Sequence, residues 1–165
     1  MPMVSMRLGR QAGGKRKFLA VIDETPECGR AAAYASRRAK ASGGGVVLLY
    51  VVEAGDFSHW LGVEEIMRAE AASEANAKLS RVAEDIREKV GIEPEIVTRE
   101  GNVAEEILSV IEADREIMIL VLAAGLSSEG PGPLVTSIAG KPGAFPIPVT
   151  IVPGSLTDEE IDNLC

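Results

Sequence analysis

The stretch from Ile117 to Ser137, IMILVLAAGLSSEGPGPLVTS, holds the residues best suited to chemistry on a small ligand. An apolar run with the composition of a strand buried on both faces is followed at once by Gly125, Ser127, Ser128, Gly130 and Gly132. Leu134 to Ala139 then reads as one or two helical turns carrying Thr136 and Ser137. A strand, a small-residue loop and a helix start can present N–H groups and hydroxyls to a phosphate, because glycine lets the backbone approach closely and the helix N-terminus carries partial positive charge. The same residues equally suit a plain strand-to-helix turn, in which glycine and serine serve only backbone and capping needs.

A second candidate is Asp23, which ends the apolar run Phe18 to Ile22 and so delivers a carboxylate to the end of a strand. Groups for covalent or acid–base catalysis are thin by comparison. The carboxylates that can join Asp23 are Glu24, Glu53 and Glu100, each better suited to a turn or a hydrogen bond. His59 has no recognisable orienting partner. Cys28 stands at a helix start, where a thiol can be acidified, although a small packing residue is the commoner outcome there. Lys141 follows Gly140 without the glycine-rich lead of a Walker loop.

The chain of 165 residues fits one domain, and its apolar content of 46% is enough for a sizeable core. Its formal net charge is −8; residues 1–17 hold five basic residues and no acid, which leaves −13 on the rest. Such a body repels a nucleic-acid backbone or an anionic membrane, so neither is expected as a partner. Cys28 and Cys165 lack metal-ligand spacing, and no metal motif is present. A reduced, cytoplasmic setting fits, and no secretory or membrane-spanning run is apparent. Residues 1–16 are expected to form a flexible basic tail, the domain to run over residues 17–153, and residues 154–165 to form an acidic tail with a short helix.

The elements that must position these candidates alternate. Phe18 to Ile22 is a strand; Thr25 is expected to cap a helix that Pro26 opens and that runs through Ala31 to Ala41. The run Gly43-Gly44-Gly45 ends that helix rather than making a phosphate loop, since it precedes a strand. Val46 to Val52 is the second strand, and Glu53 to Gly62 a loop carrying His59 and Trp60. Val63 to Val90 repeats apolar residues at helical spacing, with a break expected near Ala71 to Ser73. Pro94 to Thr98 is a more polar strand, suited to an edge; Asn102 and Glu105 stand in capping-box register before the next helix. Ile117 to Leu122 reads as a central strand, Pro146 to Val152 as a fifth strand at an edge, and Thr157 to Asn163 as a capped acidic helix. The order predicts a five-stranded, mostly parallel α/β sheet with helices on both faces, a Rossmann-like sandwich. Ligands bind such sheets at the carboxyl ends of the strands, where Asp23, Val51 and Gly125 lie.

Three features together resemble the universal stress protein family: FLAVIDETPE with its acid after the first strand, EGNVAEEIL before the third helix, and VLAAG followed by a Ser/Gly loop and PVTIVP. The resemblance covers residues 17 to 153. It implies the fold of the adenine nucleotide alpha hydrolases and, in many members, ATP binding through a G-x-x-G-x9-G-[ST] pattern. By that resemblance Asp23 contacts the adenine or ribose side, Val51 lies against the base, Gly125 opens the phosphate loop and Ser137 closes the pattern. The chain departs from the pattern at Ser128 and at Thr136, each in the place of a glycine, and the loop between them is shorter than the pattern's. Pro131 and Pro133 stiffen the loop and remove N–H donors, while Ser127, Ser128, Thr136 and Ser137 supply hydroxyls and Gly130 and Gly132 permit close approach.

Two functions from different classes follow. One is a stress-response ligand module that binds an adenine nucleotide such as ATP across the strand ends. The other is a nucleotide-free homodimer that pairs through residues 146–152, an apolar edge in need of cover. An enzyme, such as a slow ATPase or a related adenylating hydrolase, has the least support.

Overall fold

The computed structural model describes residues 6–8, 13–53, 63–128, 130–140 and 145–165. Within them the elements run β1 (Lys17–Ile22), α1 (Cys28–Ser42), β2 (Gly45–Val52), α2 (Glu64–Lys89), β3 (Glu95–Glu100), α3 (Val103–Ala113), β4 (Ile117–Ala124), α4 (Pro133–Ala139), β5 (Val149–Pro153) and α5 (Asp158–Leu164). The five strands form one sheet in the order β3-β2-β1-β4-β5, and every pair is parallel. β1 is the middle strand and β4 lies between it and β5, so the apolar run from Ile117 is interior as its composition requires.

Alternate residues of each strand feed two cores, because successive side chains point to opposite faces. Phe18, Ala20 and Ile22 of β1 pack with Ala31, Ala35 and Ala39 of α1 and with Leu79 and Ile86 of α2. Leu19 and Val21 pack on the other face with Ile107 and Ile111 of α3 and with Val135 and Ile138 of α4. The alanines of α1, fully buried at Ala31, Ala35 and Ala39, let this helix approach the sheet closely.

Several boundaries differ from the sequence expectations. β5 begins at Val149 rather than Pro146, since Pro148 has no N–H to give a ladder and contributes only its carbonyl, which accepts from Leu120 N–H at 3.0 Å. β3 is shifted to Glu95–Glu100, where its register against Val47 to Val52 is continuous. α2 runs unbroken through Ala71 to Ser73, residues that suit a helix interior; Ala75, Leu79, Ala83 and Ile86 form its buried stripe. Asn102 caps α3 through its side chain, which accepts from Glu105 N–H, and Thr157 and Glu160 complete a reciprocal capping box on α5.

Both segments read as tails make contacts with the sheet's helices. Arg7 donates to the carbonyls of Ile111 and Asp114 at the end of α3, and Leu8 N–H donates to the Arg115 carbonyl. In α5, Ile161 is fully buried; Arg30 and Arg37 of α1 form ion pairs with Asp158 and Asp162. No helix among the described residues is long and apolar enough to cross a membrane.

Candidate functional site

Strand order reverses between β1 and β4: β1 leads into α1 on one face of the sheet, whereas β4 leads into α4 on the other. Connections that diverge in this way leave a crevice at the carboxyl ends of the two strands. Asp23 follows β1 directly and Gly125 follows β4 directly, so these two residues flank the crevice.

Asp23 is held by a turn of its own making. Thr25 N–H donates to Asp23 Oδ1 at 2.9 Å, and the Thr25 hydroxyl donates to the same oxygen. Thr25 therefore does not cap the helix. Its N–H and hydroxyl serve the turn around Asp23, and α1 starts only at Cys28 with Glu27 as its N-cap, without a side-chain capping bond. Lys78 of α2 donates its ammonium to the Asp23 carbonyl, and Tyr50 of β2 donates its hydroxyl to Glu24. Burial first, and then the Glu24 carboxylate, push the Tyr50 phenol above its ordinary value, so it stays a donor.

Cys28 is buried, with its Sγ 3.4 Å from the Asp23 carbonyl. Burial raises its thiol above the ordinary value, against the opposing pull of that hydrogen bond and of Lys78. Its position at a helix start thus does not yield the acidified thiol that position alone suggests.

On the β4 side the loop closes on itself. Gly125 N–H donates to the Pro131 carbonyl at 2.9 Å and Gly130 N–H to the Ser127 carbonyl at 3.1 Å. Gly130 and Gly132 have φ of +108° and +107°, where a β-carbon is disfavoured. Gly132 is the N-cap of α4 and Pro133 opens it. The Thr136 hydroxyl turns back onto the Gly132 carbonyl at 2.8 Å.

Gly125, Ser127, Gly130, Gly132, Thr136 and Ser137 line an open cleft of about 920 Å³. Asp23 lines a smaller recess of about 20 Å³ next to it, and Thr25, Glu27, Gly132 and Pro133 border both. The cleft is within the size range of small-ligand sites. Two of the residues singled out by sequence, Val51 and Ser128, border neither space. Val51 is only 9% exposed and packs in the core on the α3 side, while Ser128 points into solvent from the loop. His59, Trp60 and Lys141 lie outside the described residues. Among the described residues no group of three or more His, Cys, Asp or Glu is gathered as a metal site.

Among the cleft residues that sequence reasoning did not name as part of a site are Glu27 and Gly154. A β-carbon on Gly154 would stand 2.6 Å from the Ala124 carbonyl oxygen and 2.9 Å from Glu27 Cβ. Glycine here lets the chain leaving β5 lie against the end of β4, and its N–H donates to the Ala124 carbonyl at 2.9 Å. Glu27 reaches from the start of α1 across to Gly125 and Gly132. Nothing local in the sequence marks either residue, because each meets its partners only through the strand order.

Residues 15–153 match the sequence model of a family described as the Universal stress protein family. Among solved structures, universal stress protein UspA from Lactobacillus plantarum superposes with a TM-score of 0.70 at 15% identity, over 84% of this chain and 98% of that one. A universal stress protein in complex with cAMP gives a TM-score of 0.62 at 14% identity, over 86% of this chain and 99% of the other. The universal stress protein from Archaeoglobus fulgidus in complex with dAMP gives 0.55 at 16%, over 91% and 99%. At these identities the superpositions speak for the fold. Compared with curated proteins by sequence, the chain matches none.

Proposed function

From the premise that this chain belongs to the universal stress protein family, we propose that it is a stress-response ligand module whose crevice between β1 and β4 takes an adenine nucleotide. The observation that carries this reading is the cleft at the strand-order reversal, lined by Gly125, Gly130 and Gly132 and by the hydroxyls of Ser127, Thr136 and Ser137. Further support is the likeness of fold to universal stress proteins that bind cAMP and dAMP. In this reading the base and ribose lie towards Asp23 and the phosphate end lies towards the loop from Gly125 to Ser137. The loop end gathers the hydroxyls of Ser127, Thr136 and Ser137 and the small residues that let a phosphate approach, which sets that polarity. In this reading Val51, packed in the core on the α3 side, and Ser128, outside the cleft, take no direct part. The test is mass spectrometry of the small molecules released by acid from freshly purified protein, followed by calorimetry with AMP, ADP and ATP. An adenine nucleotide in the released fraction is the expected result. No heat with any of the three at millimolar ligand would remove the reading.

A second reading, a homodimer formed through the last strand, has its own observation. β5 is an edge strand, and its Ile151 is 43% exposed. An unpaired edge with an exposed apolar side chain invites a second copy. The two readings are compatible, because the unpaired side of β5 is the one turned away from β4 and β1.

A further inference from the structure

We infer that Glu27 acts as a charge filter on the cleft, so that an adenine ligand binds more weakly with each phosphate charge it brings. The inference rests on the adenine-ligand reading of the cleft and concerns which member of that ligand class it selects.

The side chain lies against two glycines of the loop that the phosphate end would approach. A β-carbon on Gly125 would stand 2.8 Å from Glu27 Oε1, and one on Gly132 would stand 3.9 Å from the same oxygen. The two glycines therefore open space at the end of β4 and at the start of α4, and a carboxylate already occupies it. Gly154 backs the root of that side chain, 2.9 Å from its Cβ by the same measure. Part of what the loop could offer against that charge is already engaged. The N–H groups of Gly125 and Gly130 are engaged by carbonyls within the loop, and Pro131 and Pro133 have none to give. Among the described residues no lysine or arginine lines the cleft. An ordinary phosphate loop rewards added phosphates with N–H and lysine contacts. In this cleft each added phosphate meets a fixed negative charge at short range, partly shielded from water, which reverses the order.

The inference fixes the ranking of ligands as adenosine or a singly charged monoester first, AMP next and ATP last, with adenosine held about tenfold or more tighter than ATP. Equilibrium dialysis of the full chain with adenosine, AMP and ATP, each without and with magnesium, measures it on wild type, Glu27→Gln and Glu27→Ala. Glutamine keeps the shape and removes the charge. The expected result is that both substitutions lower the ratio of the ATP to the adenosine dissociation constant by about tenfold or more. Thermal melts of each variant confirm that the ratio is read on folded protein. If wild type holds ATP as tightly as adenosine and neither variant moves the ratio, the filter is overturned while the adenine site stands. If magnesium makes ATP the tightest ligand and Glu27→Gln abolishes that gain, the carboxylate recruits a cation instead, and the filter is again overturned. Absence of binding by wild type and both variants, for all three ligands, overturns the filter and the adenine site together.

Discussion

Glu27 Oε1 and Gly125 fill one another's space: the β-carbon that Gly125 lacks would lie 2.8 Å from that oxygen, although the two residues stand 98 positions apart in the chain. Valine at Gly125 must therefore displace the Glu27 carboxylate and fill space at the start of the loop. Gly125 does not sit at positive φ, so the backbone itself tolerates a side chain. Gly125→Val should abolish adenine-ligand binding in calorimetry while leaving a cooperative thermal transition. A variant that still binds would show that the loop is not where the ligand ends.

Asp23 holds the turn after β1 by accepting from both the N–H and the hydroxyl of Thr25. Asp23→Ala leaves these donors without their acceptor and should cost about 1–3 kcal/mol of stability, the usual penalty for hydrogen-bonding groups left unpaired. Urea unfolding measures that cost, and ligand titration of the same variant should show weakened binding. Unchanged stability would mean that water replaces the carboxylate without loss.

Two glycines should respond to alanine with opposite signs. At Gly154 the new β-carbon meets the Ala124 carbonyl oxygen at 2.6 Å, a backbone atom that cannot swing away, and Gly154→Ala should destabilise by about 1–3 kcal/mol through overpacking. At Gly29, in the first turn of α1, nothing stands within 4 Å of the new carbon. Gly29→Ala should stabilise by up to about 1 kcal/mol through helix propensity. Denaturant midpoints of the pair test the assigned contacts directly.

Val121 is fully buried in β4, between β1 and β5. Val121→Asp places an unpaired charge in the core, a penalty of several kcal/mol that is comparable with the whole stability of a domain this size. The variant should fail to give a cooperative melt. Ile119 on the same strand is only partly buried and should tolerate the change better.

For assembly, Ile151→Lys should weaken pairing more than folding, since Ile151 is an exposed apolar residue of the edge strand. Thr150→Lys should act less cleanly, because Thr150 is half-buried and stands in register with Val121. Sedimentation velocity of wild type at micromolar concentration is the first measurement. A monomer there would remove the dimer.

Acid should loosen α5. The hydrogen bond from Lys89, joined by that from Arg30 and opposed by partial burial, holds Asp158 below the ordinary aspartate value. A carboxylate with a lowered folded value contributes stability that is fully present above its unfolded value near 3.8 and is lost as pH falls through the lower folded value. Wild type should therefore lose part of its stability below about pH 4. Asp158→Asn should remove that part of the pH dependence, read as thermal midpoint against pH.

The alternating order of strands and helices was legible because each element carries its own signal. The apolar runs of β1, β2 and β4 are buried on both faces, and the capping residues Asn102 and Thr157 act within three residues of themselves, so neighbouring side chains suffice to specify them. The glycines and hydroxyls of the loop after β4 were visible for the same reason, and six of them line the cleft. Thr25 differs from the expected cap because the helix begins only at Cys28, and the Thr25 hydroxyl donates to the Asp23 carboxylate within the preceding turn. The burial of Val51 was not legible, since it depends on α3, a helix contributed from more than fifty residues away. Glu27 and Gly154 carried no local signal at all. A sheet order of β3-β2-β1-β4-β5 brings the start of α1 and the residue after β5 against the end of β4. The sequence by itself determined which segments form strands, helices and a small-residue loop, because those are matters of neighbouring residues. Only the tertiary structure decided that a carboxylate shares that loop's space, because the contact joins chain segments whose separation no local pattern encodes.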